Sequence, residues 1–306
     1  MSFPLELVSL TTADGVRLDG SVVVPEQRRD LGFDAVILHH GVGSNFYGTS
    51  FFGPMQEWLS QAGCAVLRVN NRGHELAYNT PRGRLGAAFE LVADSVQDWT
   101  AWLDFAAARG WHRVVLWGHS LGAVKTIFFL ATQQDPRIVR AIAASPPLFS
   151  FSEYQTKEGA AQFQEQWHRG QELLAQGKPD ELMPVTVPTR ALLTARTYTE
   201  KYGPDERFNI LRLLPAVRIP LLLTLGGEEG AGPHQPDWLA FGGLANRLQE
   251  LASGLERAEF RLIPEANHRY EHKEAELWSA VAAWLGLSIP NLAPSAAKPT
   301  VSHPGR

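Results

Sequence analysis

Gly118-His119-Ser120-Leu121-Gly122 follows directly on the apolar run Val114-Val115-Leu116-Trp117 and opens a segment with helical patterning. A serine on so sharp a strand-to-helix turn takes a strained backbone conformation, and only glycine-sized neighbours two positions away leave room for it. Its hydroxyl then projects above a sheet, with the first amides of the following helix aimed at whatever it attacks. An ordinary helix N-cap would explain the serine but not both glycines.

Outward from this turn the chain alternates. Strand-like runs at 34–39, 64–69, 113–117, 138–144 and 220–225 are separated by helix-like segments at about 51–62, 87–109 and 121–134. Two further helices, at 236–252 and 272–285, flank a last strand at 259–263. Residues 5 to 24 read as a hairpin turning at Asp14-Gly15 and stopped by Pro25. Continuous apolar strands alternating with helices predict an α/β fold with a mostly parallel sheet covered on both faces. Ligands of such sheets sit at the carboxyl ends of the strands.

One stretch breaks the alternation. Between Ser145-Pro146-Pro147 and Arg218-Ile219-Pro220 lie about 70 residues with helix signals from Glu158 to Gln176, several aromatics and no clear strand. A structureless loop of that length does not suit a compact domain, so a helical lid over 149–214 is expected, inserted into a core of 1–148 and 215–287. Phe149, Phe151, Tyr154, Trp167, Tyr198, Tyr202 and Phe208 are candidates to contact substrate there, with lid core as the competing role. The Pro-, Ala- and Ser-rich stretch 288–306 lacks periodicity and reads as a disordered tail.

Composition narrows the function classes. The chain has 306 residues, 44% of them hydrophobic and 20% charged, which suits one large domain with an insertion. A formal net charge of -4 argues against a nucleic-acid partner. The single cysteine, Cys64, begins a buried strand, so no disulfide framework forms within the chain, and a reducing cytoplasm is the expected setting. Neither an export leader nor a membrane span is evident. There is no P-loop or dinucleotide fingerprint, and no metal or organic cofactor is expected. The sequence is compatible with a monomer or a homodimer.

A serine hydroxyl needs a base to become a nucleophile, normally a histidine oriented by a carboxylate. His268 follows the last strand and precedes the last helix, a placement that sets it apart from a solvated loop histidine. Glu228 and Glu229 follow the preceding strand, where adjacent side chains face opposite ways, so one of them is the expected acid and Asp237 is a third candidate. Acyl transfer also needs donors for the oxyanion. The Leu121 amide, next after the serine, is one, and the Val42 amide in His39-His40-Gly41-Val42-Gly43-Ser44-Asn45 is the expected second.

These segments, in this order, resemble the α/β-hydrolase superfamily. His40-Gly41-Val42-Gly43 is similar to its H-G-x-G oxyanion loop, Gly118-His119-Ser120-Leu121-Gly122 to its nucleophile elbow, and Ala266-Asn267-His268 to the segment carrying its histidine. Gly226-Gly227-Glu228-Glu229 with Pro233 resembles its acid turn, which selects Glu229, although aspartate is commoner there. A narrower resemblance, to a branch that includes fungal siderophore esterases, rests on Asn71-Arg72-Gly73-His74-Glu75-Leu76, Ala88-Phe89-Glu90 and Lys125. A lysine on a helix packed against the sheet needs either a carboxylate, for which Glu90 is the candidate, or a route to the surface. The resemblance implies a serine hydrolase for a small carboxylic ester, amide or lactone, with Ser120, His268 and Glu229 as triad. A lyase or C–C bond hydrolase and a non-catalytic receptor are the rivals on the same scaffold.

Overall fold

In the computed structural model, which describes residues 4–49, 51–81, 83–232 and 238–287, the apolar runs become one eight-stranded sheet. Its strands are β1 (Leu5–Thr11), β2 (Arg17–Val23), β3 (Ala35–His39), β4 (Ala65–Val69), β5 (Val114–His119), β6 (Ile138–Ala144), β7 (Leu221–Gly226) and β8 (Ala258–Ile263). Their spatial order is β1-β2-β4-β3-β5-β6-β7-β8. Pairing is parallel from β4 to β8, and only the N-terminal hairpin runs antiparallel, through β1 with β2 and β2 with β4. This is the fold expected of an α/β-hydrolase.

The period of two survives even in strands buried on both faces. Along β3, Ala35 and Ile37 enter one apolar cluster and Val36 and Leu38 the other. The first cluster is built with α2 (Ser95–Ala108), which brings Trp99 and Trp102, and with α3 (Leu121–Thr132), which brings Phe128 and Phe129. The second takes Phe52, Met55, Trp58 and Leu59 from α1 (Phe52–Ala62) and Leu277, Trp278 and Val281 from the C-terminal helix, Glu274–Leu285. Removing a fully buried ring such as Trp99 costs about 3–5 kcal/mol.

The segment between β6 and β7 holds α4 (Ala160–Ala175) and α5 (Ala195–Lys201), and its apolar side joins the first cluster through Phe163, Tyr198 and Phe208. Contrary to the sequence reading, it also contains a two-stranded hairpin, Leu182–Val185 with Ala191–Thr194. Four residues interrupted by Pro184 give too short an alternation to register as a strand. A second small hairpin, Tyr78–Thr80 with Gly83–Leu85, precedes α2, and α2 begins at Ser95, later than the helical patterning from 87. After β7 comes α6 (Leu244–Ser253), with Leu244, Leu248 and Ala252 buried at the spacing of one helical face; the C-terminal helix is α7. The stretch 288–306 expected as a tail, and Asp237 and Pro233, lie outside the described residues.

Candidate active site

Five consecutive parallel strands end at the same edge of the sheet, and the loop after each contributes to one cluster. His39 pairs with Gly118, and His119 with Ala144, so the ends of β3, β5 and β6 lie abreast. Beyond them, Gly226 of β7 pairs with Ile263 of β8, which brings Glu229 and His268 to the same edge.

Ser120 has φ 56 and ψ -124, the strained conformation expected of the turn. The glycines are enforced by contact. A Cβ at Gly118 would lie 2.2 Å from the Gly122 carbonyl oxygen, and one at Gly122 2.5 Å from the His40 carbonyl oxygen. Gly118 is pressed against the first turn of α3 and Gly122 against the end of β3, so no side chain fits at either position.

The imidazole of His268 spans the serine and the acid. Its Nε2 lies 2.9 Å from Ser120 Oγ and its Nδ1 2.5 Å from Glu229 Oε1. A carboxylate can only accept, so Nδ1 carries the proton and Nε2 faces the serine hydroxyl as an acceptor. The Glu229 side chain is 1% exposed, and its second oxygen accepts from Ser145 Oγ and from the Gly226 amide, each at 2.6 Å. With its one proton given to Glu229, Ser145 accepts from the Tyr270 hydroxyl 2.8 Å away, and that hydroxyl lies 2.8 Å from Thr224 Oγ1. Burial, with the Glu229 charge adding to it, raises the Tyr270 phenol well above its ordinary value, so it stays a donor. Glu228 is exposed and takes no part.

Two histidines that the sequence leaves without a role hold the frame. His119 Nε2 donates to the backbone carbonyl of His268 at 2.8 Å, and the two rings lie 5.0 Å apart, with Phe241 5.3 Å away from the His268 ring. His40 Nδ1 donates to the Gly41 carbonyl at 2.7 Å, while its Nε2 accepts from the Asn71 amide at 3.3 Å. Burial, foremost, pushes both rings down to about 3, so each is a neutral imidazole with a defined tautomer. His40 thereby ties the 40–43 loop to the end of β4.

The two residues expected to carry the oxyanion donors lie on that loop and at the start of α3. Val42 and Leu121 both line a cavity of about 320 Å³ that opens on Ser120 and His268. Leu121 is the first residue of α3, where an amide has no earlier helical carbonyl to bond. A second cavity of about 240 Å³ also reaches the serine and is lined by Ser44, Thr49, Phe51, His119 and Arg269 among others. The larger one is walled mainly by Pro147, Phe149, Leu193, Tyr202, Ala240 and Phe241.

Of the aromatics singled out between β6 and β7, Phe149 and Tyr202 reach this cavity; Tyr154 and Trp167 do not. Tyr154 is fully buried against Phe163, its hydroxyl donating to the Leu148 carbonyl, and Trp167 packs edge-on to Phe151. They are core of the insertion, the alternative the sequence had left open.

The Asn71–Leu76 segment has a structural role. Arg72 is buried between Asp98 and Asp14, with side-chain contacts of 2.9 and 2.8 Å. Lys125 has the carboxylate partner expected of it: its ammonium is buried, bonded to Glu90 and, at 3.0 Å, to Asn71 Oδ1. His268-Arg269-Tyr270-Glu271-His272 has the His-x-x-Glu-His spacing of a zinc-binding helix, which the sequence reading passed over. Here the stretch is a loop ahead of α7, and among the described residues no group of three His, Cys, Asp or Glu side chains is placed to hold a metal.

The sequence pattern of the alpha/beta hydrolase family matches residues 36–281. Among solved structures, the chain is similar to the alpha/beta hydrolase GrgF from Penicillium sp. sh18, at 15% identity and a TM-score of 0.65, over 92% of this chain and 97% of that one. It is also similar to the esterase Pf2001 of Pyrococcus furiosus, at 21% identity and a TM-score of 0.56, over 92% of each chain. Est1E from Butyrivibrio proteoclasticus, solved with ferulic acid bound, is 17% identical with a TM-score of 0.62, over 91% of this chain and 97% of that one. At these identities the likeness establishes the fold. No curated protein matches the chain, and no helix among the described residues is long and apolar enough to cross a membrane.

Proposed function

The chain belongs to the alpha/beta hydrolase family, and from that premise we propose that it is a serine hydrolase cleaving a carboxylic ester, with amides and lactones as near variants. The observation that carries this reading is the unbroken line from Ser120 Oγ through His268 to Glu229, with contacts of 2.9 and 2.5 Å.

In this mechanism His268 Nε2 takes the Ser120 proton as Oγ attacks the ester carbonyl. The negative charge that develops on the carbonyl oxygen is met by the Val42 and Leu121 amides, preorganised and needing no rearrangement. Glu229, buried and already bonded to Ser145 and Gly226, stabilises the imidazolium and keeps its Nδ1 proton in place. The tetrahedral intermediate expels the alcohol, which leaves with the proton from His268, and the acyl group remains on Ser120. Water, deprotonated by the same nitrogen, then releases the acid and restores the serine.

The two cavities that meet at Ser120 offer a place for each arm of the ester, the larger and more apolar one for the bulkier arm. We read residues 149–214 as a lid, because Phe149, Leu193 and Tyr202 supply walls of that cavity. The test is hydrolysis of p-nitrophenyl esters of graded chain length by the wild-type protein and by Ser120→Ala. Turnover by the wild type and a loss of about 10³-fold or more in the variant are expected. A variant that retains wild-type turnover would overturn the serine mechanism, and turnover of C–C but not ester substrates would favour the rival chemistry.

A further inference from the structure

Away from Ser120 and His268 the larger cavity is mainly apolar, and it carries two cationic side chains. Arg190 is exposed, but Lys201, the last residue of α5, is 4% exposed. The Lys201 ammonium forms no hydrogen bond or ion pair with any described residue. The carboxylates whose charge reaches it are engaged elsewhere. Glu90 bonds Lys125, and Glu200 accepts the Val92 and Ala93 amides at 3.1 and 3.0 Å. Glu90 Oε1 is buried without a hydrogen bond, yet it lies beyond ion-pairing distance of Lys201. Of the two buried lysines, Lys125 alone therefore holds a carboxylate directly, and the one left without a direct partner is the one that lines the cavity.

A buried ammonium without a partner is costly, whereas one that gains a carboxylate recovers both the Coulomb energy and its hydrogen bonds. Burial, with Lys125 adding to it against the pull of Glu90 and Glu200, lowers the affinity of Lys201 for its proton. An incoming anion reverses that tendency. We propose that Lys201 is a substrate-recognition residue, and that the arm of the ester occupying this cavity is an apolar chain ending in a carboxylate that pairs with its ammonium. The preferred substrates are then esters with one acid-terminated arm, either a monoester of a dicarboxylic acid or an ester of an ω-hydroxy acid. The apolar walls select the spacer and Lys201 selects its end. A neutral chain of the same length leaves the ammonium unpaired and is discriminated against by on the order of a hundredfold. The scissile position rests on the serine-esterase reading, but the ion pair does not.

The test compares matched pairs on the wild-type protein. One series is mono-p-nitrophenyl esters of linear dicarboxylic acids, each beside its ω-methyl ester; the other is acetates of ω-hydroxy acids, each beside its methyl ester. Within one series, at a favoured length, the acid-terminated member is expected to show a kcat/KM on the order of a hundredfold higher, chiefly through KM. Lys201→Met should collapse that ratio, and Lys201→Arg should keep part of it. Should the variants not fold, the wild-type pairs still decide. Calorimetric binding of the non-activated monomethyl dicarboxylates and their dimethyl esters to Ser120→Ala reads the ion pair without catalysis, and the free-acid form should bind more tightly. The proposal is overturned if neutral members are favoured at every length in both series, if the binding shows no acid preference, or if the preference survives Lys201→Met. Hydrolysis of neutral esters without acid preference would leave the esterase reading standing; acid-selective binding without hydrolysis would leave Lys201 and remove the esterase.

Discussion

Glu228 and Glu229 have the same side chain on neighbouring positions, yet one is exposed and the other buried against His268. Glu229→Gln should lower kcat by about 10³–10⁴-fold, because an amide can neither stabilise the imidazolium nor fix its tautomer, while Glu228→Gln should leave it within a factor of two or so. Steady-state kinetics on one p-nitrophenyl ester check this, and the reverse order would mean that the acid turn has been assigned in the wrong register. Ser120, His268 and Glu229 were legible as candidates in sequence because each follows a strand and carries a residue type with few other uses there. Their supports were not. Ser145, Tyr270 and Thr224 come from three separate segments, and nothing in their spacing links them. His119 sat in view as the second residue of the Gly-His-Ser-Leu-Gly turn, but its bond to the His268 carbonyl depends on β5 and the 264–273 loop meeting. His40 and His119 also set an acid limit. Burial holds both near 3 in the folded protein, against an ordinary value of 6.5, so the unfolded chain binds protons that the folded one refuses. Their contribution to stability is complete above pH 6.5 and drains away as pH falls toward 3, by at most about 1.4 kcal/mol per pH unit for each ring. Urea midpoints should fall steeply between pH 6 and 4; a flat profile would contradict the neutral assignments.

At the scale of elements, strand and helix positions in the core were readable because the apolar runs are long and are punctuated by glycine and proline. The insertion was harder. Its hairpin is short and contains Pro184, and its aromatics look alike in sequence although they divide between cavity and core. Phe149 lines the cavity edge-on to Tyr202, while Trp167 packs on Phe151 away from it. Phe149→Ala should therefore shift chain-length preference, raising KM for medium-length esters several-fold more than for the acetate. Trp167→Ala should lower the thermal midpoint and leave the ratio between long and short esters unchanged. Measuring kcat/KM for a short and a long ester beside the midpoint separates the two, and identical behaviour of both variants would refute the division.

For the whole molecule, two apolar clusters on opposite faces of the sheet lock the five strand ends that carry the site. Cys64 reports on the second of them. It is 1% exposed, its thiol bonds the Leu59 carbonyl at 3.3 Å, and burial pushes it up to about 12. Thiol reagents at pH 8 should accordingly leave Cys64 unmodified in the native protein and modify it at the rate of global unfolding. Fast labelling under native conditions would show that the face covered by α1 opens on its own. The overall architecture was legible because alternation of strand and helix admits few topologies. The cavities, and the unpaired charge of Lys201 within one of them, arise where the insertion closes over the strand ends, and no local pattern encodes that meeting.

The central claim is that Ser120 becomes acylated. Peptide mapping by mass spectrometry after treatment with a fluorophosphonate tests it most directly, because the reagent captures only a serine already activated by its base. The account predicts one adduct per chain, on the peptide carrying Ser120, formed rapidly by the wild type, slowly by Glu229→Gln and not at all by Ser120→Ala. An adduct on another residue, or ester hydrolysis that continues with Ser120 unlabelled, would contradict it.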